Sequence, residues 1–153
     1  MSRYIIFDLD GCIADDRERQ PLIDHSQPDP WEAYHKGCAN DPLINGHYIT
    51  LAKAMEFIPA IFTSRPEIVR GETQQWLEKV AGLDTKLLFM RPNDDRAPSV
   101  ELKERFLRKL EQAYSPAYLD VAFALDDRRE ILDMYKRYSI PTVQTFYPEG
   151  MIV

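Results

Sequence analysis

The sequence predicts an α/β fold in which a doubly wound, mainly parallel sheet of five strands is covered by helices on both faces. Five short apolar runs rich in β-forming residues alternate with segments whose apolar side chains follow a helical period. Several of the runs are continuously apolar, which is typical of parallel strands buried on both faces. A length of 153 residues suits one core, so we expect a single domain over residues 1–153.

The five apolar runs give the predicted strands, and we expect right-handed crossovers between them. The runs are residues 4–7, 58–62, 87–90, 121–125 and 142–146. The first run is halted by the segment Asp8-Leu9-Asp10-Gly11.

Four segments between the runs have a helical period and give the predicted helices. Their predicted faces are Tyr48, Leu51, Ala52 and Met55; Val69, Thr73, Trp76, Leu77 and Val80; Leu102, Phe106, Leu110 and Tyr114; and Ile131, Met134, Tyr135 and Tyr138. Gly82 is the expected C-cap of the second helix, and Pro66 and Pro98 stand near helix starts.

Residues 16–45 interrupt the alternation and are predicted to form an irregular insert or small flap. The segment carries several prolines and many charges, with one short amphipathic stretch around Trp31 and Tyr34. About thirty residues is much longer than the usual connection between a strand and its helix, and such loops are often lids or binding loops. A disordered insertion is less favoured, because the two aromatic side chains need a surface to pack against.

Composition excludes several classes of function. A formal net charge of −6 and a pI near 5.1 give no broad positive surface for duplex nucleic acid. No apolar run is long enough to span a membrane, and no secretory signal is evident at the start of the sequence. Cys12 and Cys38 are too few for a disulfide framework, so we expect a reducing, cytoplasmic setting. The sequence leaves the oligomeric state open.

The strongest chemical signal is a set of charged and hydroxyl side chains at the carboxyl ends of four strands, where open α/β sheets bind ligands. The residues are Asp8 and Asp10; Thr63, Ser64 and Arg65; Arg91; and Asp126, Asp127 and Arg128. Because the whole chain is acidic, an anionic substrate has to be held by such local cations or by a metal.

The aspartates of this set predict a magnesium site. Carboxylates held close together repel one another, and they either share a proton or bind a cation. The hard oxygen ligands that Mg²⁺ prefers are offered here by Asp8, Asp10, Asp126 and Asp127. Structural explanations compete with this one, since Asp127 and Glu130 fit a capping box and the first pair fits a plain turn. Caps and turns would not require four acids at one edge, so we favour the metal site.

Groups that could hold a phosphate are predicted beside these acids. Thr63 and Ser64 offer hydroxyl groups and free amides at a helix N-terminus, although Ser64 and Glu67 also fit a capping box. Lys103 falls in about the first turn of a helix that Ser99 would cap, where a cation is unfavourable unless an anion lies nearby. An aspartate or a bound phosphate would supply that anion, and the alternative is a solvated surface lysine.

Four motifs, in order along nearly the whole chain, resemble those of the haloacid dehalogenase-like (HAD) phosphatases. Phe7-Asp8-Leu9-Asp10-Gly11 resembles their first motif, Ile61-Phe62-Thr63-Ser64-Arg65 the second, Lys103 the third and Leu125-Asp126-Asp127-Arg128 the fourth. Within that family the sequence is most similar to the phosphatase domain of bacteriophage polynucleotide kinase/phosphatase. This second likeness also rests on Thr73-Gln74-Gln75-Trp76-Leu77 and on the spacing of Arg91, Arg96 and Lys103.

The resemblance implies a three-layer Rossmann-like core without a large cap domain, an Mg²⁺ cofactor and a phospho-aspartate intermediate. By the same resemblance, Asp8 is the nucleophile and Asp10 is the general acid and base. The metal ligands would be Asp8, the backbone carbonyl of Asp10 and Asp127, with Asp126 either a ligand or a neighbour of the ligands.

The resemblance also implies how the substrate is held. Thr63 and the amides that follow it would hold the phosphoryl oxygens, and Lys103 would offset the negative charge of Asp8 and of the phosphate. The candidates for gripping the rest of the substrate are Ser64, Arg65, Arg91, Arg96 and Arg128.

A phosphomonoesterase that acts on a nucleic-acid end, as a phage-like polynucleotide 3′-phosphatase, is the function that this resemblance favours. The first alternative is a small-molecule nucleotidase with the same mechanism, in which Trp31 and Tyr34 close over the base. The second is a non-catalytic module that binds a phosphate or a partner. It is less favoured because all four motifs keep their catalytic residue types.

Overall fold

The computed structural model describes residues 3–114 and 120–149, in which strands and helices alternate. The strands are β1 (Arg3–Phe7), β2 (Ile58–Pro66), β3 (Leu88–Arg91), β4 (Asp120–Asp126) and β5 (Thr142–Gln144). The helices are α1 (Glu32–Lys36), α2 (His47–Ala54), α3 (Arg70–Trp76), α4 (Ser99–Tyr114) and α5 (Arg129–Arg137). A π-helical turn, Leu77–Ala81, continues α3, and 3₁₀ turns occupy Gln20–Leu22, Cys38–Asn40 and Glu67–Val69.

The five strands form one parallel sheet in the order β3-β2-β1-β4-β5, which confirms the predicted fold class. β1 is central, since Ile6 pairs with Ala60 of β2 on one side and with Ala124 of β4 on the other. From β1 the chain first builds the sheet outwards through β2 and β3, and then returns to add β4 on the opposite side. In such sheets ligands bind at the carboxyl ends of the strands where the strand order reverses, which here lies between β1 and β4.

Side chains of β1 pack into two separate hydrophobic cores, because successive residues of a strand point to opposite faces of the sheet. Ile5 and Phe7 belong to the buried cluster that also contains Trp76 of α3 and residues of the insert. Ile6 belongs to the cluster that also contains Phe106 of α4, together with residues of α5. Helices therefore cover both faces of the sheet, as predicted.

Two of the predicted helix faces are partly wrong. In α2 the buried residues are Ile49 and Ala52, while Leu51 and Met55 are exposed, so the face lies about one position away from the predicted one. In the second predicted helix, Val80 is exposed. The π-helical turn widens the helix after Trp76, which changes the phase of the residues that follow it.

The other two predicted faces agree with the structure over the residues it describes. Leu102, Phe106 and Leu110 are buried in α4, and the side chain of Tyr114 lies outside the described part. The predicted face of α5 is buried except at Tyr138, which is half-buried. The C-cap Gly82 is confirmed by its left-handed conformation, with φ of +67°.

The insert is more regular than the sequence indicates. Residues 16–45 contain α1 and two of the 3₁₀ turns, and Ala14 forms an antiparallel bridge with Leu43 at the far end of the segment. Tyr34 and Cys38 are buried, so the insert packs against the sheet layer. No helix within residues 3–114 and 120–149 is long and apolar enough to cross a membrane.

Candidate active site

A cleft of about 760 Å³ opens at the carboxyl edge of the sheet. Its lining comes from the strand ends, from the insert, and from the loop between β3 and α4. The sequence-predicted residues in the lining are Asp8, Asp10, Thr63, Ser64, Arg91, Arg96, Lys103, Asp127 and Arg128. Two others, Arg65 and Asp126, are completely buried behind these groups. The structure therefore brings the whole predicted set to one place.

Lys103 extends from α4 and lies between two of the aspartates. Its Nζ donates to Asp8 Oδ1 at 2.8 Å and to Asp126 Oδ2 at 2.6 Å. Because Lys103 is only 2% exposed, the alternative of a solvated surface lysine is wrong. Burial acts to lower the pKa of Lys103, but attraction to Asp126 and Asp8 outweighs it and raises the pKa above its usual range. Lys103 is therefore a permanently charged ammonium in the site.

Three carboxylates next to this ammonium form a group that fits a divalent cation. One oxygen each from Asp8, Asp126 and Asp127 lie within 4.8 Å of one another. Burial and repulsion by Asp126 raise the pKa of Asp8 well above its usual value, and the same two causes raise that of Asp127 to about 6. The single lysine does not balance three acids. A cation that prefers hard oxygen ligands, such as Mg²⁺, would neutralise the excess negative charge.

The turn that follows β1 brings the backbone at Gly11 against this group. Gly11 has φ of +80°, a conformation that favours glycine. A Cβ atom at this position would lie 2.5 Å from Asp127 Oδ2 and 3.1 Å from the hydroxyl oxygen of Tyr147. Both the conformation and the space therefore require glycine. The plain turn and the acidic site are thus features of the same segment.

Neither of the two predicted capping boxes forms. The N-cap of α5 is Arg128, without a side-chain capping bond, and the carboxylate that reaches its amide is Asp126, at 2.9 Å. Ser64 lies within β2 because that strand continues to Pro66, four residues past the predicted end. Its Oγ is 2.8 Å from the Oγ of Ser99, so the two hydroxyl groups are hydrogen-bonded to each other. Asp127 and Ser64 therefore have no capping role that competes with ligand binding.

Asp10 is held by two arginines that lie beneath the cleft. Arg65 Nη2 and Arg19 Nη2 each donate to Asp10 Oδ1 at 2.7 Å, and both guanidinium groups also donate to Asp41. Burial acts to raise the pKa of Asp10, but Arg65 and Arg19 outweigh it and lower the pKa to about 2. Asp10 is therefore an oriented, ionised carboxylate in the free protein.

This network corrects one predicted role. Arg65 is completely buried, and its guanidinium is occupied by Asp10, Asp41 and the hydroxyl of Thr73. It cannot grip a substrate in the cleft, and it positions Asp10 instead. Arg19 does the same from the insert.

Sequence reasoning missed two members of the network, Arg19 and Asp41. Both belong to the insert, and no periodicity or motif in that segment singles them out. Their only signal is that they are charged residues on a segment expected to pack, and this signal is shared by many neighbours.

Two other residues predicted to contact the substrate, Thr63 and Arg91, differ in how many hydrogen bonds they already make within the protein. Thr63 Oγ1 accepts from the Arg65 amide at 3.2 Å, so its own proton is available to an anion. Arg91 is half-buried and donates to the backbone carbonyls of Ser64, Asp95 and Ala97, which fixes the loop after β3. The main role of the Arg91 guanidinium is therefore structural, and contact with a substrate would come in addition to these hydrogen bonds.

Two arginines at the cleft remain exposed. Arg96 makes no hydrogen bond or ion pair with the residues that the structure describes, and it lines the cleft. Among the residues that the structure describes, Arg128 forms an ion pair with the half-exposed Glu130, at 2.7 Å. Both guanidinium groups are therefore available to a phosphorylated ligand.

The insert is tied to the site through two tyrosine hydroxyls. Tyr34 and Tyr147 both donate to the carboxylate of Asp16. The ring of Tyr34 also packs against the guanidinium of Arg19, whose central carbon lies 4.3 Å from the ring centroid. These contacts hold the insert against the segment that follows β5 and complete one side of the cleft.

Comparisons with known proteins agree with this geometry. Residues 2–149 match the family described as the polynucleotide kinase PNKP phosphatase domain. A viral relative, described as a bifunctional polynucleotide kinase/RNA ligase of Autographa californica nuclear polyhedrosis virus, is 32% identical over 93 residues. The match covers 61% of this chain and 13% of the relative, so this chain corresponds to a small part of that protein.

Solved structures are similar in fold. A chain of the Pnkp1/Rnl/Hen1 RNA repair complex superposes with a TM-score of 0.71 at 24% identity, covering 97% of this chain and 44% of that one. The haloacid dehalogenase-like family protein SP0104 of Streptococcus pneumoniae superposes with a TM-score of 0.64 at 12% identity. That match covers 97% of this chain and 88% of the other.

Proposed function

The chain belongs to the polynucleotide kinase phosphatase domain family of the HAD phosphatases, and from this premise we propose its substrate, cofactor and mechanism. The enzyme is a Mg²⁺-dependent phosphomonoesterase that removes the phosphate from the 3′ end of a nucleic acid. The proposal is carried by the pairing of Asp8 with Lys103 beside Asp126 and Asp127 in the cleft.

Asp8 supplies the nucleophile. One of its carboxylate oxygens attacks phosphorus, and the new oxygen–phosphorus bond forms as the bond to the 3′-oxygen breaks. Water then attacks the phospho-aspartate, which releases inorganic phosphate and restores the carboxylate. This division replaces one difficult displacement by two easier ones. The ammonium of Lys103, 2.8 Å from Asp8, orients the carboxylate and offsets the charge of the incoming phosphate.

Asp10 transfers the protons. In the free protein it is ionised, because Arg19 and Arg65 lower its pKa to about 2. A phosphate bound beside it opposes those two positive charges and raises its pKa. The phosphomonoester itself, with a second pKa of about 6, brings the proton. Asp10 passes that proton to the leaving 3′-oxygen, and in the second step it accepts one from the attacking water.

The residues that would hold Mg²⁺ are Asp8, Asp127 and the backbone carbonyl of Asp10. Asp126 is completely buried and already accepts hydrogen bonds from Lys103 and from the Arg128 amide, so it orients these ligands. A cation held by these residues would neutralise charge between the carboxylate and the phosphate, which otherwise makes the attack of one anion on another unfavourable.

The hydroxyl of Thr63, together with the backbone amides near it, holds the phosphoryl oxygens. The exposed guanidinium groups of Arg96 and Arg128 then contact the phosphodiester groups that follow the terminal nucleotide. A cleft with two exposed guanidinium groups at its mouth suits a long phosphorylated substrate, because each internucleotide phosphate offers a bidentate partner.

A mononucleotidase with the same chemistry is the competing function. That alternative requires Tyr34 to close over the base together with Trp31. Tyr34 is buried, and its hydroxyl is engaged by Asp16. A closed pocket with two aromatic walls is therefore not supported.

Residues 1–153 are proposed to act as one phosphatase domain, alongside kinase and ligase activities directed at the same ends. The description of the viral relative as a polynucleotide kinase/RNA ligase supports this setting. The two cysteines are buried as free thiols, which supports a reducing compartment such as the cytoplasm.

Phosphate release from a panel of substrates tests the proposal. The panel contains one oligonucleotide with a 3′-phosphate, the same oligonucleotide with a 5′-phosphate, a 3′-mononucleotide and a sugar phosphate, each with Mg²⁺ and with a chelator. We expect the highest kcat/KM for the 3′-phosphorylated oligonucleotide and no turnover with the chelator. A preference for the mononucleotide or the sugar phosphate would contradict the nucleic-acid substrate, and turnover with the chelator would contradict the metal requirement.

A further inference from the structure

One large apolar side chain of the cleft is left uncovered. Of the exposed large hydrophobic side chains among the residues that the structure describes, Trp31 is the one that lines the cleft, and it is 42% exposed. An exposed indole beside a polar site offers an aromatic face on which a flat ring of a ligand can pack. The site chemistry described above does not use it.

Neighbouring groups contact both the backbone and the ring of Trp31. Its amide donates to the carboxylate of Asp29 at 3.1 Å, and its carbonyl accepts from the amide of His35 at 2.9 Å. Its ring meets that of Tyr34 edge to face, with the centroids 5.6 Å apart. The indole is therefore placed at the cleft by hydrogen bonds on its backbone and by a ring contact with Tyr34.

A continuous series of contacts fixes this surface relative to the reacting groups. The ring of Tyr34 touches Trp31 on one side and lies under the Arg19 guanidinium on the other, with 4.3 Å to the ring centroid. Arg19 in turn donates to Asp10 at 2.7 Å. The position of the indole is thus coupled to that of a carboxylate at the reaction centre.

The charges around the cleft give a bound strand one orientation. On the side of the insert, Trp31 is accompanied by the acidic residues Asp16 and Asp29. On the side of the β3–α4 loop and the start of α5, the exposed charged groups in the lining are the guanidinium groups of Arg96 and Arg128. Phosphates are repelled by the first side and attracted by the second. A base is neutral and has an aromatic face, so it fits the side of the indole.

We propose that the exposed surface of Trp31 is a nucleobase subsite, on which the base of the terminal nucleotide stacks while its 3′-phosphate lies at Asp8. This inference rests on the proposed function and adds to it a site for the base. A cleft of about 760 Å³ has room for a nucleotide. Stacking on an aromatic ring tolerates every base, because each base has a π-face, so the subsite selects nucleotides without reading sequence.

The test compares Trp31→Ala with the unmodified protein on two oligonucleotides. Both carry a 3′-phosphate, but in the second a tetrahydrofuran abasic analogue replaces the terminal nucleotide. We expect Trp31→Ala to raise KM for the first oligonucleotide by about tenfold or more and to leave KM for the abasic one within about twofold. Since the indole does not touch the reacting atoms, kcat on both should change little, and Trp31→Phe should restore most of the binding.

Leu22→Ala is the matched control. Leu22 is also an exposed apolar residue of the insert, at 46%, but it does not line the cleft, so both KM values should stay unchanged. Equal losses for Trp31→Ala on the two oligonucleotides, or the same KM of the unmodified protein for both, would overturn the subsite. If the unmodified protein turns over no oligonucleotide, the proposed function fails separately. The subsite is then tested by comparing a mononucleotide with ribose phosphate.

Intrinsic fluorescence gives a second readout, which needs no turnover. The chain has two tryptophans, and the other one, Trp76, is 1% exposed. We expect the base-bearing oligonucleotide to quench the emission of an Asp8→Asn protein, and we expect the abasic oligonucleotide to leave it nearly unchanged. Quenching that persists after Trp31→Phe would contradict stacking on Trp31.

Discussion

The Nζ atom of Lys103 lies 2.8 Å from Oδ1 of Asp8, although 95 residues separate the two along the sequence. The contact joins the middle of the sheet to α4, since Asp8 follows the central strand β1 directly. The same Nζ lies 2.6 Å from Oδ2 of Asp126 at the end of β4. One ammonium therefore connects two strand ends and a helix, and it is part of both the fold and the proposed chemistry.

Lys103→Met removes this charge while keeping most of the side-chain volume. Two buried carboxylates then lose their counter-ion, so we expect the free energy of unfolding at pH 7 to fall by about 3 kcal/mol. We also expect kcat to fall by roughly 100-fold or more, because charge stabilisation at the phosphate is lost. Denaturant unfolding and phosphate release measure the two effects. Lys109→Met, at an exposed lysine of the same helix, should change neither, and equal losses in both variants would contradict the role of Lys103.

Gly11→Ala tests the space beside the acidic group. The new Cβ would lie 2.5 Å from Asp127 Oδ2, at a φ of +80° that strains any residue except glycine. We expect the Asp127 carboxylate to be displaced, Mg²⁺ to bind more weakly, and kcat/KM to fall by roughly tenfold or more.

The matched control for Gly11→Ala is Gly71→Ala in α3, where nothing lies within 4 Å of the new Cβ. There we expect full activity and a gain in stability of about 0.5–1 kcal/mol, because alanine favours the helix more than glycine does. Titration of activity with Mg²⁺ measures the difference between the two variants. An unchanged Mg²⁺ requirement in Gly11→Ala would contradict the proposed role of Asp127.

Arg19→Lys keeps the positive charge but loses the planar fork. Arg19 donates to Asp10, to Asp41 and to the carbonyl of Tyr34. The compact ammonium group of lysine lacks the planar fork and cannot donate to all three acceptors at once. We expect kcat to fall by roughly tenfold or more while KM changes little, because Arg19 positions Asp10 and does not face the substrate. Steady-state kinetics give both values. Arg137→Lys, at an exposed arginine of α5, serves as the control, and a similar effect there would contradict a positioning role.

His35 makes the stability depend on pH. Its pKa is lowered to about 4, mainly by burial. The nearby guanidinium groups of Arg65 and Arg19 also lower this pKa, whereas Asp10 and Asp29 raise it. In the unfolded chain the pKa of histidine is about 6.5, so the unfolded state takes up the proton first as the pH falls. The free energy of unfolding should therefore decrease between pH 6.5 and pH 4, by up to about 3 kcal/mol, with no further contribution from His35 at lower pH.

His35→Gln removes this contribution and leaves those of the carboxylates. Denaturant unfolding of both proteins at pH 7, 5.5 and 4 measures the difference, and the variant should lose less stability across this range. His47→Gln, at an exposed histidine at the start of α2, should behave like the unmodified protein. Parallel curves for His35→Gln and the unmodified protein would contradict the lowered pKa.

The parallel sheet of five strands and two of the four helix faces could be predicted because they follow from local patterns, whereas the order of the strands could not. A continuous apolar run such as residues 121–125 is determined by burial on both faces, and α4 shows its helical period clearly. The failure after Trp76 has a local cause that the period cannot reveal. A π-helical turn adds a residue to the turn, and so the prediction placed Val80 inside, whereas Ala81 is buried.

The acidic residues of the candidate site and their partner Lys103 could be predicted, but the role of the two arginines that hold Asp10 could not. Asp8 and Asp127 stand directly after strands, where topology alone brings them together. The role of Arg65 depends on the direction of its side chain near the end of β2, and the side chain points inwards to its counter-ions Asp10 and Asp41. Arg19 reaches the same pair from the insert, whose path depends on tertiary packing.

The central claim is that Asp8 attacks the 3′-phosphate of a nucleic acid. The most direct measurement compares phosphate release from a 3′-phosphorylated oligonucleotide, in the presence of Mg²⁺, by the unmodified protein, Asp8→Asn and the surface variant Asp133→Asn, with folding checked by circular dichroism. We expect turnover by the first and third proteins and none by a folded Asp8→Asn. Substantial Mg²⁺-dependent release by Asp8→Asn would contradict it.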